Sequence, residues 1–313
     1  MALTGFVACS DDAAELTGTG GTGGAETTTT GTAGGGTGGD GDCTPLPGQE
    51  PGPDWICVTD VSGDVVDEMG APVPDVLMTV CGPGGCEPDT TDAVGDFDIE
   101  VGFPLLPTEW SLIPHSREYG YFVYYYPFDP MATGPSIDLG SLTLLSYPAP
   151  SDSLVVKTDD AGAPAQTATN GDVTIDVPAG VRVSLDFEDV VLDDAGKRFF
   201  AKKVDAGLQD DFVDPSLGAV ALYALAPFDA VFDLESDPGT PAKAQLSFDN
   251  TTGLAANTPV QFYQQGSFIV GSLQTALFHP VATGSVSADG TTIEMDPGEG
   301  IEFLTWVAIA PMN

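Results

Sequence analysis

Asp96-Phe97-Asp98-Ile99-Glu100-Val101 is the stretch that decides the fold. Its apolar and acidic residues alternate strictly. In a β-strand this alternation places Phe97, Ile99 and Val101 on one face and the acids on the other. The segment therefore predicts a strand of a sheet that buries a single face.

Short strand-like runs continue on both sides of this segment, and Gly, Pro, Asn and Asp separate them. Upstream lie 61–67 and 76–80; downstream lie 153–157, 173–177, 181–187, 219–225, 244–248, 260–263 and 303–309. No long amphipathic helix is evident. We predict an all-β protein with two antiparallel β-sandwich domains in tandem, at 54–148 and 151–313.

The first predicted domain carries a recurrent turn pattern. The matching residues are Gly63, Val65, Asp67, Gly70, Pro72, Thr91, Asp92, Gly95 and Phe97, with an aromatic turn at 106–112. The segment resembles a carboxypeptidase regulatory-like domain, a small transthyretin-type β-sandwich. Met78 stands where that pattern has valine, and Asp75 replaces a usual glycine. The resemblance implies a non-catalytic unit for stability or binding.

The second predicted domain contains Gly-Asp-Val-Thr-Ile-Asp-Val-Pro-Ala-Gly at 171–180. This stretch resembles the strand and turn of ZU5-like domains, and 223–228 and 241–248 look like that family's later proline-marked strands. The similarity covers 165–255, and Val181 departs from the usual small-residue turn. It implies a protein-interaction module.

The N-terminus reads Leu3-Thr4-Gly5-Phe6-Val7-Ala8-Cys9-Ser10. It resembles the lipobox of bacterial lipoproteins, although Phe6 stands where that motif prefers Leu. The resemblance implies that 1–9 is the remnant of a signal peptide, that Cys9 is the lipid attachment site, and that the protein is exported and anchored at the bacterial outer membrane or cell surface. Only eight residues precede Cys9 and none is basic, so we expect the natural start further upstream. The alternative is an unmodified cysteine.

Residues 10–53 are expected to form a disordered tether. Gly and Thr fill 21 of the 26 positions from 17 to 42, and such a run cannot bury enough apolar surface to offset its ordering entropy. From 17 to 53, a Gly-rich coil spans roughly 30–36 Å. A tether of this length would hold a folded body away from the membrane.

The charge balance restricts the partners. The chain has 47 acidic and 8 basic side chains, a formal net charge of −39. Nucleic acid and anionic headgroups are therefore poor partners for the surface as a whole. No window of 18 or more apolar residues occurs, so membrane contact is expected through the lipid anchor only.

Four further cysteines, at 43, 57, 81 and 86, predict two disulfides in an exported domain. Three pairings are possible. We favour Cys43–Cys57 and Cys81–Cys86, because each pair is local and Gly82-Pro83-Gly84-Gly85 is a turn. The spacing is not that of a zinc ribbon.

Two surfaces are candidate binding sites. In a strand, Tyr119, Tyr121 and Tyr125 would share a face that could stack on sugar rings or hold a partner, unless the second domain or a loop covers it. Lys197, Arg198, Lys202 and Lys203 bracket two phenylalanines and could dock an acidic polymer or partner. Alternatively, these cations neutralise neighbouring carboxylates near Asp193-Asp194 or Asp210-Asp211.

Catalytic motifs are few. His115-Ser116-Arg117-Glu118 has the H-x-x-E spacing of a zinc site, but it lies inside a β module and His279 is the one other histidine. Asp-rich turns offer calcium ligands without the 12-residue calcium-loop pattern. Neither G-x-S-x-G nor a P-loop is present. We predict no catalytic residue, no metal and no cofactor, and hence no enzyme.

The sequence thus predicts a non-catalytic cell-surface lipoprotein that displays β-sandwich modules for binding, adhesion or envelope scaffolding. Its expected partner is an envelope or extracellular protein or polysaccharide. The alternative is an extracellular polysaccharide hydrolase that uses a pair of carboxylates on a β scaffold.

Overall fold

The computed structural model describes residues 45, 50, 52, 54–82, 85–128, 135–149, 152–156, 163–267 and 276–312. The expected signal remnant with Cys9, and Cys43, lie outside the described residues, as does the tether apart from positions 45, 50 and 52. The described residues all belong to one compact unit, which spans 40–313.

The prediction of an all-β fold is confirmed. The first part of the chain forms β1 (Ile56–Asp67), β2 (Leu77–Gly82), β3 (Gly85–Thr90), β4 (Asp96–Leu105), β5 (Ser111–His115), β6 (Tyr126–Pro127) and β7 (Ser136–Leu144). The later part forms β8 (Gln166–Asn170), β9 (Val173–Val177), β10 (Val181–Ser184), β11 (Phe200–Lys203), β12 (Ala221–Ala226), β13 (Val231–Leu234), β14 (Asp237–Pro241), β15 (Gln245–Asp249), β16 (Pro259–Gln265), β17 (Phe278–Val286), β18 (Thr292–Met295) and β19 (Val307–Pro311). A single-turn helix, α1 (Phe187–Val191), follows β10, and 3-10 turns lie at Pro107–Glu109, Arg117–Tyr119, Gln209–Asp211 and Pro215–Leu217.

Within the described residues, the strands form four sheets. In the first part, β4-β1-β7 is one sheet and β3-β2-β5-β6 is the other. In the later part, a nine-stranded sheet has the order β11-β12-β19-β16-β17-β18-β15-β9-β8, and β10-β13-β14 form a small sheet. Pairing is antiparallel except between β1 and β7, which run parallel.

The alternation in β4 is confirmed. Phe97, Ile99 and Val101 are buried, while the intervening acidic residues are exposed. Antiparallel pairing of β4 with β1 places these apolar residues in the core of the first part of the chain.

The residues that carry the first resemblance are mainly turn formers. The Asp67 carboxylate accepts the backbone N–H groups of Met69 and Ala71, and the buried Thr91 hydroxyl bridges Val73 and Val76. These hydrogen bonds fix the backbone at the turns, and they engage the polar side-chain atoms of Asp67 and Thr91 with the protein itself.

The core of the first part includes residues from the later part. Tyr124 packs edge-on against Trp306 and Phe212, with ring centroids 4.8 and 5.1 Å apart. The Trp306 indole N–H donates to the carbonyl of Val123 at 2.7 Å. The domain boundaries near 148–151 stay a prediction, but the two parts share one apolar cluster within residues 40–313.

Cys81 and Cys86 form the predicted disulfide. Cys57 is also disulfide-bonded, and Cys43, its predicted partner, lies outside the described residues. Within the described chain, no helix is long and apolar enough to cross a membrane.

The shared core predicts a single unfolding transition. Trp306→Ala removes a fully buried ring and the bond to Val123, so we expect it to lower the free energy of unfolding by about 3–5 kcal/mol and to shift the whole transition. Urea unfolding followed by circular dichroism measures this. Phe187→Ala, which truncates a ring that is 75% exposed, is the control and should change stability little. Two separate transitions, with only one of them shifted, would contradict the shared core.

Candidate functional site

A cleft of about 220 Å³ lies between the 3-10 turn after β5 and the loop that follows α1. We call it the Arg117 cleft. Glu118 and Ala195 are exposed at its rim, whereas Phe200, Ala226 and Pro227 are buried at its floor. The cleft is therefore open to solvent at one end and apolar at the other.

An aromatic pair forms part of this lining. The rings of Tyr147 and Phe200 stack with centroids 4.3 Å apart and planes 2° from parallel. Phe122 packs edge-on against Tyr147 at 4.7 Å. Because Tyr147 and Phe200 pack against each other and Phe122 packs against Tyr147, the pair gives the cleft a rigid apolar surface.

Arg117 forms one wall, and its side chain is only 5% exposed. A guanidinium nitrogen lies 2.6 Å from the Asp186 carboxylate and 3.2 Å from that of Asp189. The Arg117 Nε lies 3.6 Å from Glu188. Burial of a cation requires such partners, since an unpaired charge would cost several kcal/mol.

The local fold that brings these acids to Arg117 is unusual. Asp186 precedes α1, and Glu188 and Asp189 lie in its first turn. Phe187, Val190 and Val191 are 75%, 54% and 61% exposed. A surface helix of a globular protein usually turns its apolar residues towards the core, but here Glu188 and Asp189 pair with the buried Arg117 and the apolar residues lie in solvent.

The excess of acid around Arg117 perturbs the pKa values of these carboxyl groups. Burial raises the pKa of Asp189 to about 7, although the Arg117 charge opposes the shift. Burial likewise raises the pKa of Asp229 to about 6, against a hydrogen bond from Tyr125. Burial would also raise the pKa of Glu188, but its hydrogen bond with His115 and the charge of Arg117 lower it. One cation cannot offset all of these acids, so Asp189 is partly protonated at neutral pH.

His115 is fully engaged in the structure. Its Nδ1 bonds to Glu188, and its Nε2 lies 2.8 Å from the Thr79 hydroxyl. Both ring nitrogens therefore have protein partners, while Glu118 lines the cleft. In the described part of the chain, no group of three or more His, Cys, Asp or Glu side chains is placed to hold a metal ion.

The three candidate tyrosines do not share a strand face. Tyr119 ends a 3-10 turn, is 44% exposed, and donates its hydroxyl to the Asp75 carbonyl at 2.8 Å. Tyr121 is half-buried and makes an isolated bridge with Ser146.

The candidate assignment of Tyr125 to a binding surface is corrected by its burial. Only 4% of Tyr125 is exposed, and its hydroxyl donates to the buried Asp229 carboxylate. Residues of the later part cover this ring, since Phe228 packs edge-on against it at 5.0 Å. The tyrosine-rich segment thus mainly supplies aromatic rings to the core that the two parts of the chain share.

The four cations that cluster in the sequence contact different partners in the structure. Lys197 pairs with Asp194 at 3.4 Å, Lys202 binds Glu68, and Lys203 donates to the Thr251 hydroxyl at 2.7 Å. The contacts of Lys197 and Lys202 follow the alternative in which the cations neutralise nearby acids, although Glu68 was not among the predicted partners. Arg198 alone of the four lines the Arg117 cleft.

Sequence reasoning missed Arg117, Tyr147 and Asp189 as cleft residues. A signal for Arg117 was present, because it is one of three arginines in a chain with 47 acids and lies in an apolar stretch. Such a cation is expected to be buried with carboxylate partners. Nothing local marks Tyr147 or identifies the acids that Arg117 would use.

Comparison with known proteins gives no family. No protein-family model matches the chain, and no curated protein matches it. A crystal structure of a protein from Bacteroides uniformis ATCC 8492, named "putative carbohydrate binding protein", aligns with 77% of this chain and 80% of its own at 9% identity and a TM-score of 0.20. A similarity at this level establishes neither a common fold nor a common function.

The opposite pKa shifts of Asp189 and Glu188 predict opposite effects of pH. The raised pKa of Asp189 gives stability that is complete below its unfolded pKa near 4 and is lost as the pH rises through about 7. Asp189→Asn should therefore gain stability relative to wild type between pH 5 and 8. The lowered pKa of Glu188 gives stability that is present above its unfolded pKa and is lost in acid, so Glu188→Gln should be least stable, relative to wild type, at neutral pH. Urea unfolding at four pH values measures both, and parallel curves for the two variants would contradict the assignment.

Gly196 predicts a steric requirement of the cleft. A Cβ at this position would lie 1.9 Å from the Asp189 carbonyl oxygen, so Gly196→Ala must push α1 away from the loop. We expect a loss of about 1–3 kcal/mol in unfolding free energy. Gly207→Ala is the matched control, since a Cβ there meets nothing within 4 Å. Thermal denaturation of both variants checks the prediction, which equal stability would refute.

Proposed function

We propose that this protein is a non-catalytic binding protein of the bacterial cell surface, anchored through Cys9, with a role in adhesion or envelope scaffolding. Its partner is an envelope or extracellular protein or polysaccharide. The Arg117 cleft is the observation that carries the binding role.

The cleft has the composition of a recognition site. An apolar floor with a few charged groups around it is typical of sites that bind and orient a small group. Its volume of about 220 Å³ is below the roughly 300–1,000 Å³ of sites for drug-sized ligands. It would accept one unit or side chain of a larger partner.

The polar groups around the cleft favour binding over catalysis. A general acid or base must reach the proton that it transfers. Both nitrogens of His115 contact the protein, and Asp186 and Asp189 face the guanidinium of Arg117. Each of these groups would have to break a contact with the protein before it could transfer a proton to or from a ligand.

One observation favours the alternative of a polysaccharide hydrolase. Asp189 lines the cleft with a pKa raised to about 7 by burial, which suits a general acid. Glu118 is the second carboxylate of the cleft lining and would have to act as base or nucleophile. The hydrolase alternative therefore requires Asp189 and Glu118 to be its catalytic pair.

Export is supported by the disulfides. The Cys81–Cys86 bond and the disulfide of Cys57 are typical of oxidising compartments. The net charge of −39 disfavours adsorption of the folded body to anionic lipid, so an anchor would be needed to hold it at a membrane.

Anchoring through Cys9 is tested with the native chain expressed from its natural start. Cys9→Ala should move the protein from the membrane fraction to the soluble exported fraction, and intact mass should show two or three acyl chains on the wild-type cysteine only. Thr32→Ala, in the expected tether, is a control that leaves both the lipobox and the predicted disulfides unchanged. A wild-type Cys9 without added mass would refute the anchor.

Binding and hydrolysis are separated by product analysis. Full-length protein incubated with isolated cell-envelope material should retain polysaccharide or protein and release no new reducing ends. Asp189→Asn and Glu118→Gln should leave this product profile unchanged. Release of reducing ends by wild type that both variants abolish would establish the hydrolase and contradict the binding role.

A further inference from the structure

We infer that the Arg117 cleft is a subsite for a single uncharged sugar residue at the end or branch of a polysaccharide. This inference rests on the proposed binding function and narrows its partner to a neutral glycan.

Charged side chains of both signs line the cleft. Arg117 and Arg198 contribute two guanidinium groups, and Glu118 and Asp189 contribute two carboxyl groups. An anionic ligand would meet these carboxyls, with Asp186 and Glu188 close behind them. A cationic ligand would meet the guanidinium groups. An uncharged ligand avoids both penalties.

The lining also offers hydrogen-bond donors and acceptors side by side. Guanidinium groups donate and carboxylates accept, and a sugar hydroxyl does both. Asp189, partly protonated near neutral pH, can itself do both. Adjacent hydroxyls of a pyranose ring present such paired groups, and a flat apolar ligand does not.

A buried donor in the cleft wall has no acceptor. The Nε–H of Arg117 makes no hydrogen bond to any described residue, and its side chain is 95% buried, since 5% is exposed. A buried donor without an acceptor costs about 1–3 kcal/mol. The nearest oxygen given for it, on the Glu188 carboxylate, lies 3.6 Å away, so a hydroxyl oxygen of a bound ligand would offer it a closer acceptor.

The apolar floor of the cleft is suited to the C–H face of a sugar ring. Pyranose rings have an apolar C–H face, and aromatic rings pack well against such faces. Tyr147 and Phe200 provide a fixed aromatic pair, and Ala226 and Pro227 extend the apolar surface. At about 220 Å³ the cleft is limited to one ring, and the exposed rim at Ala195 leaves room for the rest of the chain to continue into solvent.

The test uses the full chain and defined probes. Methyl glycosides of glucose, galactose, mannose and N-acetylglucosamine are titrated by NMR and calorimetry beside glucuronic acid and glucosamine. We expect saturable binding of at least one neutral glycoside, at least fivefold tighter than either charged sugar. Ala195→Trp should fill the mouth of the cleft and weaken this binding at least tenfold. Ala255→Trp, at another exposed alanine, should leave binding unchanged.

The outcomes distinguish this inference from the function on which it rests. If wild type binds none of the neutral glycosides, or binds a charged sugar more tightly, the sugar subsite is wrong. If Ala195→Trp still retains envelope material, the protein binds its partner elsewhere, and only the cleft assignment fails. If wild type retains no envelope material at all, the proposed function itself fails.

Discussion

The burial of one guanidinium is the constraint on which the rest of this structure depends. Arg117 follows β5 in the first part of the chain, and its counter-charges come from residues 69 and 72 positions later. Because the cation cannot be buried unpaired, the segment around α1 must lie against the first part. This contact fixes the direction of α1 and one wall of the cleft, and it places Asp189 where burial perturbs its pKa.

Aromatic packing reinforces this attachment and explains the fate of the tyrosine-rich segment. Tyr124 meets Trp306 and Phe212, and Tyr125 meets Phe228 and Asp229. Rings of this size stabilise mainly when they are fully buried, and the later part of the chain supplies the cover. The composition of the tyrosine-rich segment suggests an exposed row of binding side chains. In the structure, this segment is where the two parts of the chain join.

Local features of the sequence predicted many of the strands but not the site, and at the predicted strand 153–157 the described residues form only an isolated bridge at Ser153. The alternation of Phe97, Ile99 and Val101 predicted β4, and local spacing with a glycine turn predicted the Cys81–Cys86 bond. The cleft depends on contacts between residues far apart in sequence, which no local pattern contains. Near α1 the predicted strand 181–187 was too long, because β10 ends at Ser184 and α1 begins at Phe187. The acids of this segment pair with Arg117, about 70 positions earlier, and no local pattern contains that contact.

The two positive and two negative side chains that line the cleft contrast with the large excess of acid in the chain as a whole. A surface with 39 more negative than positive groups repels anionic polymers and attracts cationic ones without regard to their shape. Selectivity for an uncharged ligand therefore requires a place where charge is locally offset and hydrogen bonds and apolar contact decide the affinity. Two of the three arginines of the chain line the Arg117 cleft. A scarce residue type is thus concentrated in the Arg117 cleft.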